Sequence, residues 1–153
     1  MKEIHLTKSA EETKRIGENF AKEFRKARPL KFSRSDLDAV VIGLKGNLGG
    51  GKTTFVQGFA KGLGVKDKIL SPTFVILKRF QIKSKQFKNF YHIDCHRLKN
   101  EKDLLELGFE EIISDPENIV LIEWPEKIKK IMPKDASIIE FDFIDENKRK
   151  IKY

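Results

Sequence analysis

The run Gly46-Asn-Leu-Gly-Gly-Gly51-Lys52-Thr53 combines the residue types that hold a polyphosphate. It fits G-x-x-x-x-G-K-S/T, the Walker A pattern. Each fixed position has a physical reason. Glycines let the backbone bend so that successive N–H groups point inward at phosphate oxygens. A helix beginning near Lys52 adds the positive end of its dipole. Lys52 reaches the β- and γ-phosphates as a point charge. The Thr53 hydroxyl supplies one oxygen to Mg²⁺, which otherwise keeps waters and phosphate oxygens. The expected chemistry is binding of a nucleoside triphosphate, ATP, with Mg²⁺. Its expected contacts are Asn47, Leu48, Gly49, Gly50, Gly51, Lys52, Thr53 and Thr54.

Such a metal also needs carboxylates, directly or through water. Asp94 and Glu123 each follow an apolar segment, Phe90-Tyr-His-Ile93 and Ile119-Val-Leu-Ile122. Ligands of parallel α/β sheets gather at the carboxyl ends of strands. An acidic residue there binds Mg²⁺ or positions a water for attack on the γ-phosphate; a carboxylate that only caps the next turn is the plainer alternative. Thr73, in Ser71-Pro-Thr-Phe74, is a candidate γ-phosphate-sensing hydroxyl, against an ordinary turn at Pro72. His92 and His96 flank Asp94, and on a strand the three share one face. No cysteine or histidine pair stands elsewhere to complete a tetrahedral zinc site. Cys95 is the single cysteine, read as a buried thiol rather than a nucleophile. Trp124 is expected to be packed, beside the site.

The elements that must position these groups are legible in outline. Ser9 and Glu12 have the capping-box spacing, and Ile16, Phe20, Phe24 and Ala27 share one face of a helix from about Ser9 to Ala27, closed by Pro29. A polar turn at Ser33–Asp36 follows. Ala39–Leu44 reads as a strand buried on both faces. After the glycine loop, Lys52–Leu63 reads as a helix with Gly64 at its C-cap. Strands are expected at Thr73–Ile82 and Phe90–Asp94 with a hairpin through Lys83–Lys88. A helical stretch spans Lys102–Ile113, loosened at Gly108. A strand at Ile119–Ile122 precedes Glu123-Trp-Pro-Glu126, where Pro125 opens a short helix. Strands at Ser137–Phe143 and Arg149–Tyr153 close the chain. The mixture predicts an α/β layer fold.

The chain has 153 residues, 39% hydrophobic and 35% charged. That length fits one domain over the whole chain. No run approaches the ~18 apolar residues of a membrane span. The segment MKEIHLTKSAEETKR is charged where a secretory signal is apolar. One cysteine fits a reducing compartment, so a cytoplasmic location is expected. The net charge of +8 attracts phosphate-rich partners, yet the lysines also serve simply to solvate the surface. Contact with RNA stays open on charge alone.

The ordered set GNLGGGKTTFVQGFAKGLG, SPTF, YHIDCHRL, ELGFEE and IEWPE resembles the TsaE (formerly YjeE) family in order and spacing. The likeness runs from SAEET to the final strands. It implies a P-loop, three-layer α/β sandwich with a mixed, mostly parallel central sheet. It implies an ATPase needed to make threonylcarbamoyladenosine on tRNA, acting with TsaB and TsaD, in which tRNA is met through the complex. By resemblance Lys52, Asp94 and Thr73 are catalytic, Thr53 and Glu123 hold the metal, and Ser9–Thr13 lie near the adenine. Three positions depart from the family pattern: Asn47 stands for the usual Asp, Gly50 for Ala, and His96 for Tyr. The backbone does the cradling at the first two. Asn47 also removes a negative charge near the phosphates.

The competing classes are a small-molecule kinase, a GTPase and a non-hydrolysing nucleotide scaffold. No arginine-rich lid segment marks a kinase. The guanine-reading N-K-x-D motif is missing, since Asn147-Lys148 is followed by Arg149 and Lys150.

Overall fold

The computed structural model describes residues 2–26, 37–69 and 76–153. Among these residues seven strands form a single sheet: β1 (Ile4–Thr7), β2 (Val40–Gly46), β3 (Leu77–Gln81), β4 (Asn89–Asp94), β5 (Asn118–Glu123), β6 (Ser137–Phe143) and β7 (Arg149–Lys152). The helices are α1 (Ala10–Lys26), α2 (Lys52–Gly62), α3 (Glu101–Glu106) and α4 (Phe109–Ile113), with a 3-10 helix at Pro125–Ile128. The strand order is β1-β7-β6-β2-β5-β4-β3. The central strands β6, β2, β5 and β4 are mutually parallel, and antiparallel strands add at both edges. The sheet is therefore mixed and mostly parallel at its centre, as expected.

The alternation of a pleated strand divides the core into two faces. Val40, Ile42 and Leu44 of β2, with Ile119 and Leu121 of β5, pack against Phe20, Phe24, Phe55 and Phe59 of α1 and α2. Val41, Val120 and Ile122 point the other way, onto Leu104, Phe109, Ile112 and Ile128. Helices thus cover both faces, giving three layers. The buried stretches Val40–Leu44 of β2 and Ile119–Ile122 of β5 are apolar because neither face meets water.

The sequence expectations meet the structure with local corrections. Ser9 Oγ accepts the Glu12 N–H at 3.1 Å, while the Glu12 carboxylate accepts from Lys8 N at 2.6 Å, so the capping box operates one residue wider than its usual form. The end of that helix, Pro29 and the 33–36 turn lie outside the described residues. The Lys102–Ile113 stretch is two helices rather than one, because Gly108 adopts φ 88° between them. The third strand spans Leu77–Gln81 and ends before Ile82, whose N–H bonds Lys88 O; residues 73–75 of the expected Thr73–Ile82 strand lie outside the described residues. Pro125 opens its short helix as expected. β1 was not legible in the sequence. Its exposed Ile4 and Leu6 alternate with His5 over only four residues, and its place is set by pairing with β7.

Helices α1 and α2 meet backbone to backbone. A Cβ on Gly58 would lie 1.9 Å from Lys14 O, one on Gly62 2.4 Å from Glu18 O, and one on Gly17 2.3 Å from Phe55 O. The three glycines are what permits this approach. Gly58→Ala should force the helices apart. Ala is the better helix former by ~1 kcal/mol, but overpacking against a fixed carbonyl outweighs that, for a net loss of about 2 kcal/mol. The melting temperature should fall by roughly 4–8 °C. A thermal melt indistinguishable from wild type would show that the helices are not held at this distance.

Candidate functional site

Three strand ends and the starts of two helices converge on a cleft of about 880 Å³. β2 is the middle strand, with β5 on one side and β6 on the other, so the chain leaves it at a topological switch point. Ligands of open α/β sheets bind there. The loop after β2 turns at Gly49 (φ 76°) and Gly51 (φ 92°), a backbone region that favours glycine. Gly46 passes so near β6 that a Cβ would lie 2.4 Å from Phe141 O. Helix α2 then starts at Lys52 with no side-chain cap and no acidic residue in its first turn. Its first N–H groups and its positive dipole end therefore open on the cleft.

Leu48, Gly49, Gly50, Gly51, Lys52, Thr53 and Thr54 all line that cleft. Asn47 contributes differently: its carbonyl accepts from Gly50 N at 3.0 Å and from Lys52 Nζ at 2.9 Å, so it holds the loop closed. Lys52 Nζ also bonds Gly46 O at 2.5 Å and sits 4.4 Å above the Trp124 ring. The lysine is only 5% exposed. Burial lowers its pKa, and the negative field of Glu123, Glu126 and Asp94 works against that shift.

Asp94 and Glu123 end adjacent parallel strands in direct register. They stand on the α2-facing side, continuing the rows Phe90–His92 and Ile119–Leu121 whose apolar members pack on α2. Burial raises the Asp94 pKa; the His96 N–H, donated to Asp94 Oδ1 at 2.9 Å, opposes the rise, and Glu123 adds to it. Glu123 is buried and uses both oxygens. Oε1 accepts the Thr53 hydroxyl at 2.9 Å, and Oε2 lies 2.6 Å from His92 Nε2.

The predicted Mg²⁺ pair, Thr53 and Glu123, is thus brought into direct contact. Two hard oxygens side by side at the mouth of a phosphate loop suit a cation that takes few protein ligands and completes its shell with phosphate and water. Among the described residues no three His, Cys, Asp or Glu side chains converge as a metal cage. The His92-Asp94-His96 triplet diverges instead, since His92 turns to Glu123 and His96 packs against Trp124 with ring centroids 4.8 Å apart and tilted by 32°. Thr73 lies outside the described residues. Cys95 belongs to the core, where burial pushes its thiol to about 12, so it is no nucleophile at neutral pH.

Other cleft residues come from places the sequence did not flag. Ser9, Ala10 and Thr13 of the α1 start face the loop, which only the family resemblance had suggested. The β6–β7 hairpin supplies Glu146, Asn147 and Arg149. The Arg149 stem lies 3.6 Å from where a Gly51 Cβ would stand. Its guanidinium binds the carbonyls of Asp145, Glu146 and Lys148, and Asp145 Oδ1 accepts the N–H groups of Asn147 and Lys148 at 2.9 Å each. The one sequence signal was the Asp145–Asn147 turn composition; nothing local indicated that this turn reaches the P-loop.

Comparison with known proteins agrees with this geometry. Residues 7–151 match the family model for TsaE, described as threonylcarbamoyl adenosine biosynthesis protein TsaE. The tRNA threonylcarbamoyladenosine biosynthesis protein TsaE of Rickettsia typhi is 37% identical over 147 residues, covering 95% of this chain and 90% of that protein. The protein of the same description from Bacillus subtilis is 34% identical over 113 residues, 74% of this chain and 68% of its own. The crystal structure of Bacillus subtilis YdiB superposes with a TM-score of 0.73 at 28% identity, covering 99% of this chain and 84% of that one. With the motifs, the layered sheet and the glycine-loop cleft all in place, the chain belongs to the TsaE family.

Proposed function

We propose that this protein binds ATP with Mg²⁺ and hydrolyses it slowly, as the ATPase subunit that serves tRNA threonylcarbamoyladenosine formation together with TsaB and TsaD. The observation that carries the reading is the Thr53–Glu123 contact directly beneath the glycine loop. It joins a phosphate cradle to an oxygen pair of the kind Mg²⁺ accepts, with Asp94 one strand away. The names of the Rickettsia and Bacillus relatives support the tRNA-modification setting.

The roles follow from the chemistry of each group. The N–H groups of 48–54 and the start of α2 bind the phosphates. The Lys52 ammonium offsets charge on the β- and γ-oxygens. Thr53 and Glu123 hold Mg²⁺, which when bound supplies positive charge against the charge spreading over the transferred phosphoryl group. Asp94 accepts a hydrogen bond from water and aligns it on the γ-phosphorus; as the water oxygen bonds to phosphorus its proton passes to Asp94 and the bond to the bridging oxygen breaks, leaving ADP and phosphate. Thr73 is the γ-phosphate-sensing hydroxyl. Arg149 is already committed to three carbonyls of its own hairpin, which fits a slow free enzyme whose rate is changed by its partners. No helix among the described residues is long and apolar enough to cross a membrane.

Three outcomes test this. Hydrolysis measured with and without TsaB–TsaD should be slow alone and altered by the pair. Lys52→Ala should lower turnover by about 10²–10³-fold, the usual cost of removing one transition-state charge partner; turnover indifferent to both changes refutes the reading. Asp94→Asn should keep ATP binding, followed by fluorescence of Trp124 beside Lys52, while turnover drops by roughly 10²–10⁴-fold. The pH profile follows from the raised Asp94 pKa. The carboxylate is the working form, so activity is lost as pH falls through a value above the ordinary ~3.9 of aspartate. That acid limb should vanish in Asp94→Asn, and its persistence there would assign it to another group.

A further inference from the structure

Hydrolysis as described leaves His92 without a role, although it is paired at the heart of the site. His92 is 4% exposed and Glu123 2%. In the β4–β5 register His92 lies opposite Leu121, with Asp94 opposite Glu123. His92 is therefore one pleat below the cleft on the same face and reaches Glu123 diagonally. Its Nε2 stands 2.6 Å from Oε2. A carboxylate offers only lone pairs, so the shared proton is on Nε2 and the ring donates.

The other carboxylate oxygen accepts the Thr53 hydroxyl at 2.9 Å. A hydroxyl has one hydrogen. With that hydrogen given to Glu123, Thr53 Oγ1 has only lone pairs left to present elsewhere. The chain of bonds runs from His92 through Glu123 to Thr53, and each link fixes the direction of the next.

We propose that His92 is a positioning residue for the divalent cation: by clamping one oxygen of Glu123 it orients the carboxylate, and through it the Thr53 oxygen, so that both are set before the metal–nucleotide complex arrives. The inference rests on the nucleotide reading above. Groups that orient metal ligands in this way typically carry about 10–100-fold in metal affinity or activity. The role is one of geometry: it needs a donor of the right reach at position 92, not an imidazole as such. Gln can present an amide N–H at comparable reach. Asn is too short to span the diagonal, and Leu has no donor.

The test uses Mn²⁺ and a non-hydrolysable ATP analogue, with free Mn²⁺ read by electron paramagnetic resonance. His92→Leu should weaken Mn²⁺ binding to the protein–analogue complex by about 10–100-fold, with binding of the analogue in EDTA unchanged. His92→Gln should restore most of the affinity and His92→Asn should not. In turnover assays the Leu variant should need more Mg²⁺ for half-maximal rate and recover toward wild-type kcat when Mg²⁺ is saturating. Equal Mn²⁺ affinity in wild type and all three variants overturns the positioning role while leaving the nucleotide site standing. Equal loss in the Gln and Leu variants, with analogue binding in EDTA lost as well, marks His92 as packing only. Should the Leu variant fail to fold, the Gln and Asn pair decides, because identical affinities there overturn the proposal. Wild-type protein that binds no Mn²⁺ with the analogue overturns the nucleotide reading and this proposal with it.

Discussion

The close crossing of α1 on α2 is the constraint from which the rest of the site follows. Contacts pair Lys14 with Gly58 and Glu18 with Gly62, and Thr13 lies near Gly51. Residue numbers rise together, so the two helices run in the same sense and their N-terminal ends open on one cleft. The start of α2 brings the phosphate loop, and the start of α1 brings Ser9, Ala10 and Thr13 as the facing wall. Side chains larger than hydrogen at the three glycines would widen the crossing and carry that wall away from the loop. The aromatic core depends on the same spacing: Phe20 meets Phe55 and Phe24 meets Phe59 edge-on, with centroids 5.9 and 5.6 Å apart, a preferred geometry for aromatic pairs.

On that frame the site gathers charge at a depth where charge is costly. The field of Glu123 and Asp94 opposes the effect of burial on Lys52, and Glu123 adds to the effect of burial on Asp94. Removing one member strands its partners in a poorly solvated place, which is more expensive than the assembled set is favourable. The sheet makes the arrangement reproducible. β4 and β5 are parallel and in register, so two carboxylates reach the same level without any loop having to be ordered. The Thr53 hydroxyl then ties helix to sheet through Glu123.

What the sequence made legible follows from how local each signal is. Val40–Leu44, the glycine loop and the α2 face were readable because strand, turn and helix chemistry repeat within a few residues. Asp94 and Glu123 were readable because each ends an apolar run. His92 was not, since its partner Glu123 lies on another strand and the H-x-D-x-H spacing, once a zinc site is set aside, says nothing of that partner. Arg149 and the 145–148 turn were not, because only the antiparallel return of β7 along β6 carries them to the P-loop. β1 fails for a related reason: four residues with outward-facing Ile4 and Leu6 show no buried pattern until β7 is beside them. Gly108 was seen as a weak point, but its φ of 88° is settled by the two short helices it joins.

Trp124 shows how the demands of the candidate site and of the fold are reconciled within one residue. Glu123 must stand at the very end of β5 to reach Thr53, so the chain has to leave the sheet at once. Pro125 begins the next helix with its φ already fixed, and a proline steers the residue before it out of the right-handed helical region. Trp124 takes φ 60° and ψ 53°, the sole non-glycine with positive φ among the described residues. Such a conformation costs about 1–2 kcal/mol. The turn it makes bonds Trp124 N to Leu44 O at 3.3 Å, tying β5 back to the strand that bears the loop. It also lays the indole against Lys52 and His96, and a buried cation over an aromatic face returns roughly 0.5–2 kcal/mol. A glycine there would relieve the backbone, yet it would leave the Lys52 ammonium without its apolar cover and loosen the wall beside the glycine loop. The strain is thus retained at the one position where the sharp turn after Glu123 and the covering of Lys52 are the same requirement.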